Sequence, residues 1–191
     1  MPVTRSVRRS RRGRNTAQRG QSLVEFSLVL MPLALILLGI IQFGFIFNTY
    51  ITVSNATRDA ARLGTVYMYD SDCTKDQNDF LRNEAIRKAV ISSMGQVNTT
   101  SPLFTSTAPT GSNCSWSGGW SQSGTTFTNG DVVITYTLPT GITDSDARTG
   151  QQLTVQAAYH QDLVVPLIST ILPKDAGGRL TLTGVVTMVI D

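Results

Sequence analysis

The sequence is poor in the residues that most often carry enzyme chemistry. Its 191 residues include one histidine, His160, and two cysteines, and charged residues make up only 15%. It contains no Gly-x-Ser-x-Gly elbow, no phosphate-binding glycine loop and no His-Glu-x-x-His segment. Because catalysis needs ionisable groups that converge in a pocket, these absences favour a non-enzymatic protein with no cofactor and no metal centre. We expect His160, on a predicted strand, to be structural or exposed.

Acidic residues are missing from the start of the chain, where seven arginines lie at positions 5, 8, 9, 11, 12, 14 and 19. Without residues 1–20 the chain has 9 basic and 13 acidic side chains, a net charge of −4 instead of +3. The basicity therefore belongs to a leader, and we expect no nucleic-acid partner. A nucleic-acid arm is the alternative for such a run, but arginines beside an apolar segment are typical of the cytoplasmic flank of a membrane helix.

A long apolar run follows the leader. From Leu23 to Phe47 the residues that are not strongly apolar are Glu25, Ser27, Pro32, Gly39, Gln42 and Gly44. At about 1.5 Å per residue this helix spans the roughly 30 Å core of a bilayer. We expect a single-pass inner-membrane protein with its N-terminus inside and its C-terminal domain outside. The alternative is a secretory signal peptide, whose apolar core covers about 7–15 residues, cleaved near Ala56, Ala60 and Ala61.

Glu25 is the only charge inside this run. A carboxylate in a membrane helix costs about 2–3 kcal/mol on insertion scales, so a partner should compensate it. Cleavage after Gly20 would free an α-amine at Gln21 and leave Glu25 as the fifth residue of the new chain. Such a cleavage between Gly20 and Gln21 would supply an amine as the counter-ion of Glu25.

The segment Gly20-Gln-Ser-Leu-Val-Glu-Phe26 resembles the class III signal sequences of prepilins. Three further segments, Leu30-Met-Pro32, Gly39-Ile-Ile-Gln-Phe-Gly44 and Asn55-Ala-Thr-Arg-Asp-Ala-Ala-Arg-Leu-Gly64, are similar to TadE-like pseudopilins of the tight-adherence (Tad/Flp) pilus system. The resemblance covers roughly residues 20–64. It implies cleavage between Gly20 and Gln21 by a prepilin peptidase, and assembly roles for Glu25 and Phe26.

The expected function is that of a non-enzymatic minor pilin or pseudopilin that helps to assemble or initiate an adhesive Tad pilus. Its implied partners are other pilins, the prepilin peptidase, the Tad inner-membrane assembly machinery and the lipid bilayer. The alternative is an unprocessed, single-pass membrane-anchored binding or sensor domain. A third class is a secreted enzyme released by signal peptidase, which predicts loss of the whole apolar span.

Cys73 and Cys114 both follow the apolar run, on the side expected to face an oxidising compartment. We expect them to form a disulfide, with two free buried thiols as the alternative. Closing about 40 residues would stabilise the domain by roughly 4 kcal/mol on the chain-entropy model. Neither cysteine belongs to a Cys-x-x-Cys pair, which argues against zinc.

The predicted fold is α+β, with a leader at 1–20, a transmembrane and emerging helix at 21–64, and an extracytoplasmic domain at 65–191. We expect residues 1–19 to be disordered and one helix to run from Ser22 to Leu63 or Gly64, with an apolar face of Ile51, Ala56, Ala60 and Leu63. A mainly antiparallel sheet of three to four strands should follow, with strands at 131–138, 153–160 and 179–190.

An amphipathic helix is predicted from Lys75 to Met94, with a capping box of Thr74 and Gln77 and a stop at Gly95. Its apolar stripe is Phe80, Leu81, Ala85, Ile86, Ala89, Val90 and Met94. The residues expected to face away from the core are Asp79, Arg82, Asn83, Arg87 and Lys88. Residues 95–130 read as loop with one or two short strands and with Trp116, Trp120 and Phe127 as isolated anchors. Residues 165–173 read as an apolar helix or crossover.

Overall fold

A computed structural model describes residues 15–66, 68–95, 97, 99–100, 102–112, 114–165 and 170–191, with side chains from Gly20 onward except at position 112. The helices are α1 (Asn15–Thr65) and α2 (Lys75–Ser93). The strands are β1 (Thr110–Ser112), β2 (Ser115–Ser117), β3 (Ser121–Ser123), β4 (Thr126–Asn129), β5 (Val132–Thr137), β6 (Gln152–Gln161) and β7 (Leu180–Val189). The chain divides into two compact units, Met1–Ile41 and Gln42–Asp191.

Helix α1 begins earlier than the sequence predicted. It includes residues 15–19 of the leader, so the expectation of disorder was wrong there, while positions 1–14 lie outside the described residues. Ala17, Gln18 and Arg19 are strong helix formers, which explains the extension. The helix continues through Pro32 and ends at Thr65, close to the predicted end.

The strands form a five-stranded sheet in the order β3-β4-β5-β6-β7 and a separate β1-β2 pair, and every pairing is antiparallel. The three strongest predictions correspond to β5, β6 and β7, and the α+β class is confirmed. The five-stranded sheet has more strands than the three to four expected. The additional strands β3 and β4 lie in the Ser/Thr-rich segment that was predicted to be mostly loop. They were not predicted because strands of three or four mostly polar residues carry little apolar alternation.

The C-terminal part of α1 is a wall of the core in the unit Gln42–Asp191. Its fully buried side chains recur at helical spacing: Val53, Ala56, Thr57, Ala60 and Ala61. Gly184 of β7 meets this stripe, and a Cβ atom there would lie 2.6 Å from Thr57 Oγ1. The predicted face was partly wrong, since Ile51 and Leu63 are 42% and 38% exposed.

Helix α2 begins as predicted, with the Thr74 N–H donating to Gln77 Oε1 at 2.7 Å. Its apolar stripe is confirmed at Ile86, Val90 and Met94, which are fully buried. Its polar face is not the solvated face that was expected. The structure buries four residues that were predicted to face away, namely Asp79, Arg82, Asn83 and Arg87, and only Lys88 is exposed. These side chains are buried because the chain supplies each of them with a polar partner.

Arg87 shows how such burial is compensated. Its guanidinium donates to both carboxylate oxygens of Glu84, at 2.8 and 2.7 Å, and to Ser106 Oγ at 3.2 Å. Glu84 and Arg87 share one helix face because they are three residues apart. Each charge of the pair therefore has its counter-charge on the same helix. The periodicity of apolar residues alone does not reveal such a pair.

Candidate functional site

The longest exposed apolar surface lies along α1. Residues Gly20–Thr65 contain a window of mean hydropathy 2.5 that is 0% buried, so this helix is long and apolar enough to cross a membrane. Large side chains between Leu23 and Phe47 are mostly exposed, with Leu28 at 72% and Met31 at 70%. An apolar surface of this length is compatible with a bilayer or with other helices as its surroundings.

The predicted processing and assembly residues lie on one stretch of this helix. Gln21 Nε2 donates to Glu25 Oε1 at 3.0 Å, one helical turn away. Glu25 is exposed, and Phe26 is 64% exposed. A Cβ atom on Gly20 would meet nothing within 4 Å. In the intact chain, the carboxylate thus has a neutral amide as its neighbour, and no cationic side chain from Gly20 onward pairs with it.

Gln42 is the first residue of the compact unit that contains the sheet. Its side chain is 1% exposed, and its Oε1 accepts the backbone N–H groups of Val164 and Val165 at 2.9 and 3.3 Å. The helix thereby holds the segment that follows β6. The helix or crossover predicted for 165–173 falls partly outside the described residues, at positions 166–169, and residues 170–173 form turns and irregular structure.

A buried ion pair joins α2 to the loop before β6. Arg148 donates from Nε and Nη2 to the two carboxylate oxygens of Asp79, at 2.6 and 2.7 Å. The Asp79 side chain is 0% exposed and that of Arg148 is 8% exposed. The guanidinium also lies 4.3 Å from the ring centre of Tyr136, over its face. In this geometry the carboxylate and the guanidinium neutralise and hydrogen-bond each other in a place that water does not reach.

The same cluster binds Tyr136 from the helix side. Its hydroxyl donates to Asn83 Oδ1 at 2.6 Å, and Arg82 Nη2 donates to the Ala147 carbonyl at 3.0 Å. Burial raises the pKa of Tyr136, and the negative charge of Asp79 raises it further. Sequence reasoning missed this cluster. The only sequence signal was the alternation of charged and apolar residues along α2, which is also compatible with a solvated face.

His160 on β6 is held between two carboxylates. Its Nδ1 lies 2.6 Å from Asp175 Oδ2, and its Nε2 lies 3.2 Å from Asp131 Oδ1. Asp131 Oδ2 also accepts the backbone N–H and the hydroxyl of Thr105. His160 therefore connects the β4–β5 turn to the segment before β7, which agrees with the structural role expected from the sequence.

Cys73 and Cys114 form a disulfide, with Cα atoms 5.2 Å apart and a sequence separation of 41. The prediction of this bond is confirmed. The carboxylate of Asp70 lies near both sulfur atoms. Sulfur atoms in a disulfide are not thiolates, so this group does not have the ligand chemistry of a zinc site.

The fold and the exposed helix define a class of protein. Within the described residues, one apolar N-terminal helix is compatible with a single-pass membrane anchor, and its C-terminal part belongs to an α+β domain. The sequence model of the family described as TadE-like protein matches residues 20–62, which confirms the resemblance. The chain is thus similar to this family over the greater part of α1. No curated protein and no solved structure matches the chain.

Proposed function

We propose that this protein is a non-enzymatic minor pilin or pseudopilin that helps to assemble or initiate a Tad pilus. One observation carries the proposal: Glu25 is the only charged residue among positions 21–57, and it lies in the stretch Leu23–Phe47, whose large apolar side chains are mostly exposed. The family match over residues 20–62 supports it. The partners are other pilins, the prepilin peptidase, the Tad inner-membrane machinery and the bilayer.

The proposed mechanism begins with the arginine leader, which keeps the N-terminus on the cytoplasmic side and leaves the sheet domain outside. A prepilin peptidase then cuts between Gly20 and Gln21. The new α-amine of one subunit pairs with Glu25 of a neighbour, so that both charges are neutralised inside a bundle of apolar helices. The pairing offsets the energy of placing a lone carboxylate in that environment.

Two substitutions test the mechanism in the native envelope. Glu25→Gln removes the charge but keeps the shape, and we expect normal cleavage with loss of pilus incorporation. Asp59→Asn is the matched control, because Asp59 is an exposed acid on the same helix beyond the apolar run. Incorporation is measured by immunoblotting of sheared filaments. Equal incorporation of Glu25→Gln and wild-type protein would contradict the role of the carboxylate.

Gly20→Ala tests processing. A methyl group at Gly20 meets no neighbour, so this substitution leaves the fold unchanged, and we expect it to block cleavage. Gly44→Ala is its control, since Gly44 lies on the same helix with equally open surroundings. N-terminal sequencing should find Gln21 first in wild-type and Gly44→Ala proteins. A wild-type chain that retains its arginine leader would overturn the processing step.

The second candidate is an unprocessed membrane-anchored binding or sensor domain. The continuous helix from Asn15 through Gly20 and Gln21 favours it, because an anchor that is never cut needs no break there. The same N-terminal sequencing separates the two candidates.

A further inference from the structure

A cavity of about 290 Å³ lies at the start of α2, beside the strands β2, β3 and β4. Its walls are four aromatic side chains: Phe80, Trp116, Trp120 and Phe127. The rings of Phe80 and Trp116 stack, with centres 5.7 Å apart and planes inclined by 16°. The expectation that Trp116, Trp120 and Phe127 are isolated anchors was therefore wrong, because the fold gathers them around one space.

The aromatic walls are fixed to rigid parts of the domain. The disulfide of Cys73 and Cys114 joins the residue before the N-cap of α2 to the residue before β2, so it holds the Phe80 wall against the Trp116 wall. Phe127 belongs to the buried core and packs edge-on against Tyr136. Between the two tryptophans, Gly118 and Gly119 both have φ of 76°, a conformation that glycine adopts without strain. The cavity is thus preformed.

The cavity also presents polar groups of both kinds. Gln77 Oε1 is engaged by Thr74, which leaves its amide N–H₂ as a donor. Gln122 Nε2 donates to the Gly124 carbonyl at 3.2 Å, which leaves its Oε1 as an acceptor. The carboxylate of Asp76 is a second acceptor. Hydroxyl groups are the ligands that complement such a mixture, because each hydroxyl both donates and accepts.

The indole N–H groups of Trp116 and Trp120 give a further indication. Both are buried and have no acceptor among the residues that the structure describes. A buried unpaired donor costs about 1–3 kcal/mol, so such groups are rare and need an explanation. Because both indoles line the cavity, a ligand oxygen that reached either N–H group would recover part of that energy.

We propose that this cavity binds a neutral saccharide, one sugar ring at a time. The apolar C–H face of a sugar ring packs on an aromatic face, while its hydroxyls bond the polar groups beside that face. The volume suits a single ring. Asp76 is the one charged residue among the described residues that line the cavity, and it disfavours phosphates and acidic sugars. Saccharide binding does not depend on the pilus proposal.

The test uses the full chain in lipid nanodiscs, which avoids sugar-based detergents. The probes are methyl α-glucopyranoside, methyl β-galactopyranoside and N-acetylglucosamine, each at millimolar concentration. Binding is measured by saturation-transfer NMR and by tryptophan fluorescence. Trp116 and Trp120 are the 2 tryptophans of the chain and both line the cavity, so the fluorescence change measured against empty nanodiscs reports on this cavity. We expect saturation transfer to at least one probe, and a fluorescence change that saturates.

Variants locate the binding. Trp116→Ala should weaken it by about tenfold or more, whereas Trp116→Phe should retain most of it because a stacking face remains. Gln122→Ala should weaken binding, and Gln152→Ala, at an exposed strand glutamine away from the cavity, should not. The proposal is overturned if none of the three sugars receives saturation. If Trp116→Ala fails to fold, the proposal is overturned when Gln122→Ala and Trp116→Phe both bind the sugars as the wild type does. Preferential binding of N-acetylphenylalanine amide over every sugar would also overturn it, by making the cavity a peptide site.

Discussion

Asp79 and Arg148 show how a single pair can decide whether a polar helix face is buried. Arg148 has φ of 58°, in the left-handed region that side-chain-bearing residues rarely adopt. The bidentate contact with Asp79 and the ring of Tyr136 hold it in that conformation. A buried charge that loses its partner is strongly destabilising, whereas an exposed one is not.

We predict that Asp79→Asn lowers the free energy of unfolding by about 3–5 kcal/mol, because it leaves the Arg148 guanidinium buried without a counter-charge. Urea unfolding of the full chain, followed by tryptophan fluorescence, measures the effect. Lys75→Ala is the control. Its partner Asp144 is half-exposed, so this change should lower the free energy by less than about 1 kcal/mol. Similar small effects for both variants would contradict the importance of the buried pair.

The two carboxylates beside His160 lead us to predict that the free energy of unfolding depends on pH. Burial lowers its pKa, but hydrogen bonds to Asp131 and Asp175 and the charges of both carboxylates outweigh this, so the pKa is raised above 6.5. The stabilisation that protonated His160 contributes is therefore fully present below the pKa of His160 in the unfolded chain. It is lost as the pH rises through the pKa of His160 in the folded protein. We expect His160→Gln to destabilise the protein more at about pH 6 than at about pH 8.5.

The measurement for His160 is the free energy of unfolding of wild type and variant at several pH values. Asp162→Asn serves as the control, because the partner of the Asp162 carboxylate is Arg179 and not the imidazole. This variant should keep the wild-type pH profile between about pH 6 and pH 8.5. On the acid side, hydrogen bonds from the Arg179 and Gly177 backbone and from His160 lower the pKa of Asp175. Protonation of Asp175 therefore removes its contribution only at lower pH. The prediction would be refuted if the free energy of unfolding of His160→Gln varied with pH in the same way as that of the wild type.

At the scale of elements, the approach of α1 to β7 depends on a missing side chain. Gly184 lies where a Cβ atom would be 2.6 Å from Thr57 Oγ1 and 3.1 Å from the Val53 carbonyl. It pairs with Ala157 of β6, so two small residues meet the helix side by side. The small side chains Ala56, Ala60 and Ala61 complete this close packing.

We predict that Gly184→Ala destabilises the domain by about 1–3 kcal/mol, because overpacking forces the helix and the strand apart. Thermal unfolding monitored by circular dichroism measures it. The double variant Gly184→Ala with Thr57→Ala should recover part of the loss, since it removes the nearest clashing atom. Gly44→Ala, a helix glycine with no neighbour within 4 Å of its Cβ position, should not destabilise. A neutral Gly184→Ala would mean that the contact is looser than described.

At the scale of the whole molecule, the unit that contains the sheet starts at Gln42 and not at the end of the helix. The α1 segment from Gln42 onward supplies Val53, Ala56, Ala60 and Ala61 to the same core as Leu153 and Val155 of β6. We therefore predict that a fragment of residues 42–191 folds cooperatively and that a fragment of residues 65–191 does not. Two-dimensional NMR of both fragments provides the measurement. Dispersed spectra from residues 65–191 alone would contradict this.

The elements with strong local signals were predictable. The apolar run, the alternation of β5, β6 and β7, and the capping residues of α2 all act over a few neighbouring positions. The burial of Asp79 and Arg82 was not, because it depends on Arg148 and Ala147 meeting them in space. The aromatic cavity was missed for the same reason, since Phe80 and Trp116 are separated by 36 positions and touch through the disulfide-linked segments.

The order of residues alone predicts the apolar helix, its single carboxylate and the arginine-rich N-terminal segment, because charge and hydropathy belong to each residue whatever the fold. The pairing of Cys73 with Cys114 followed from there being two cysteines on one side of the apolar run. The packing of the fold sets which polar residues are buried, and it places Gly184 of β7 against α1. It also brings four aromatic rings together in the lining of one open cavity. These features depend on contacts between distant segments, whose free energies no local pattern records.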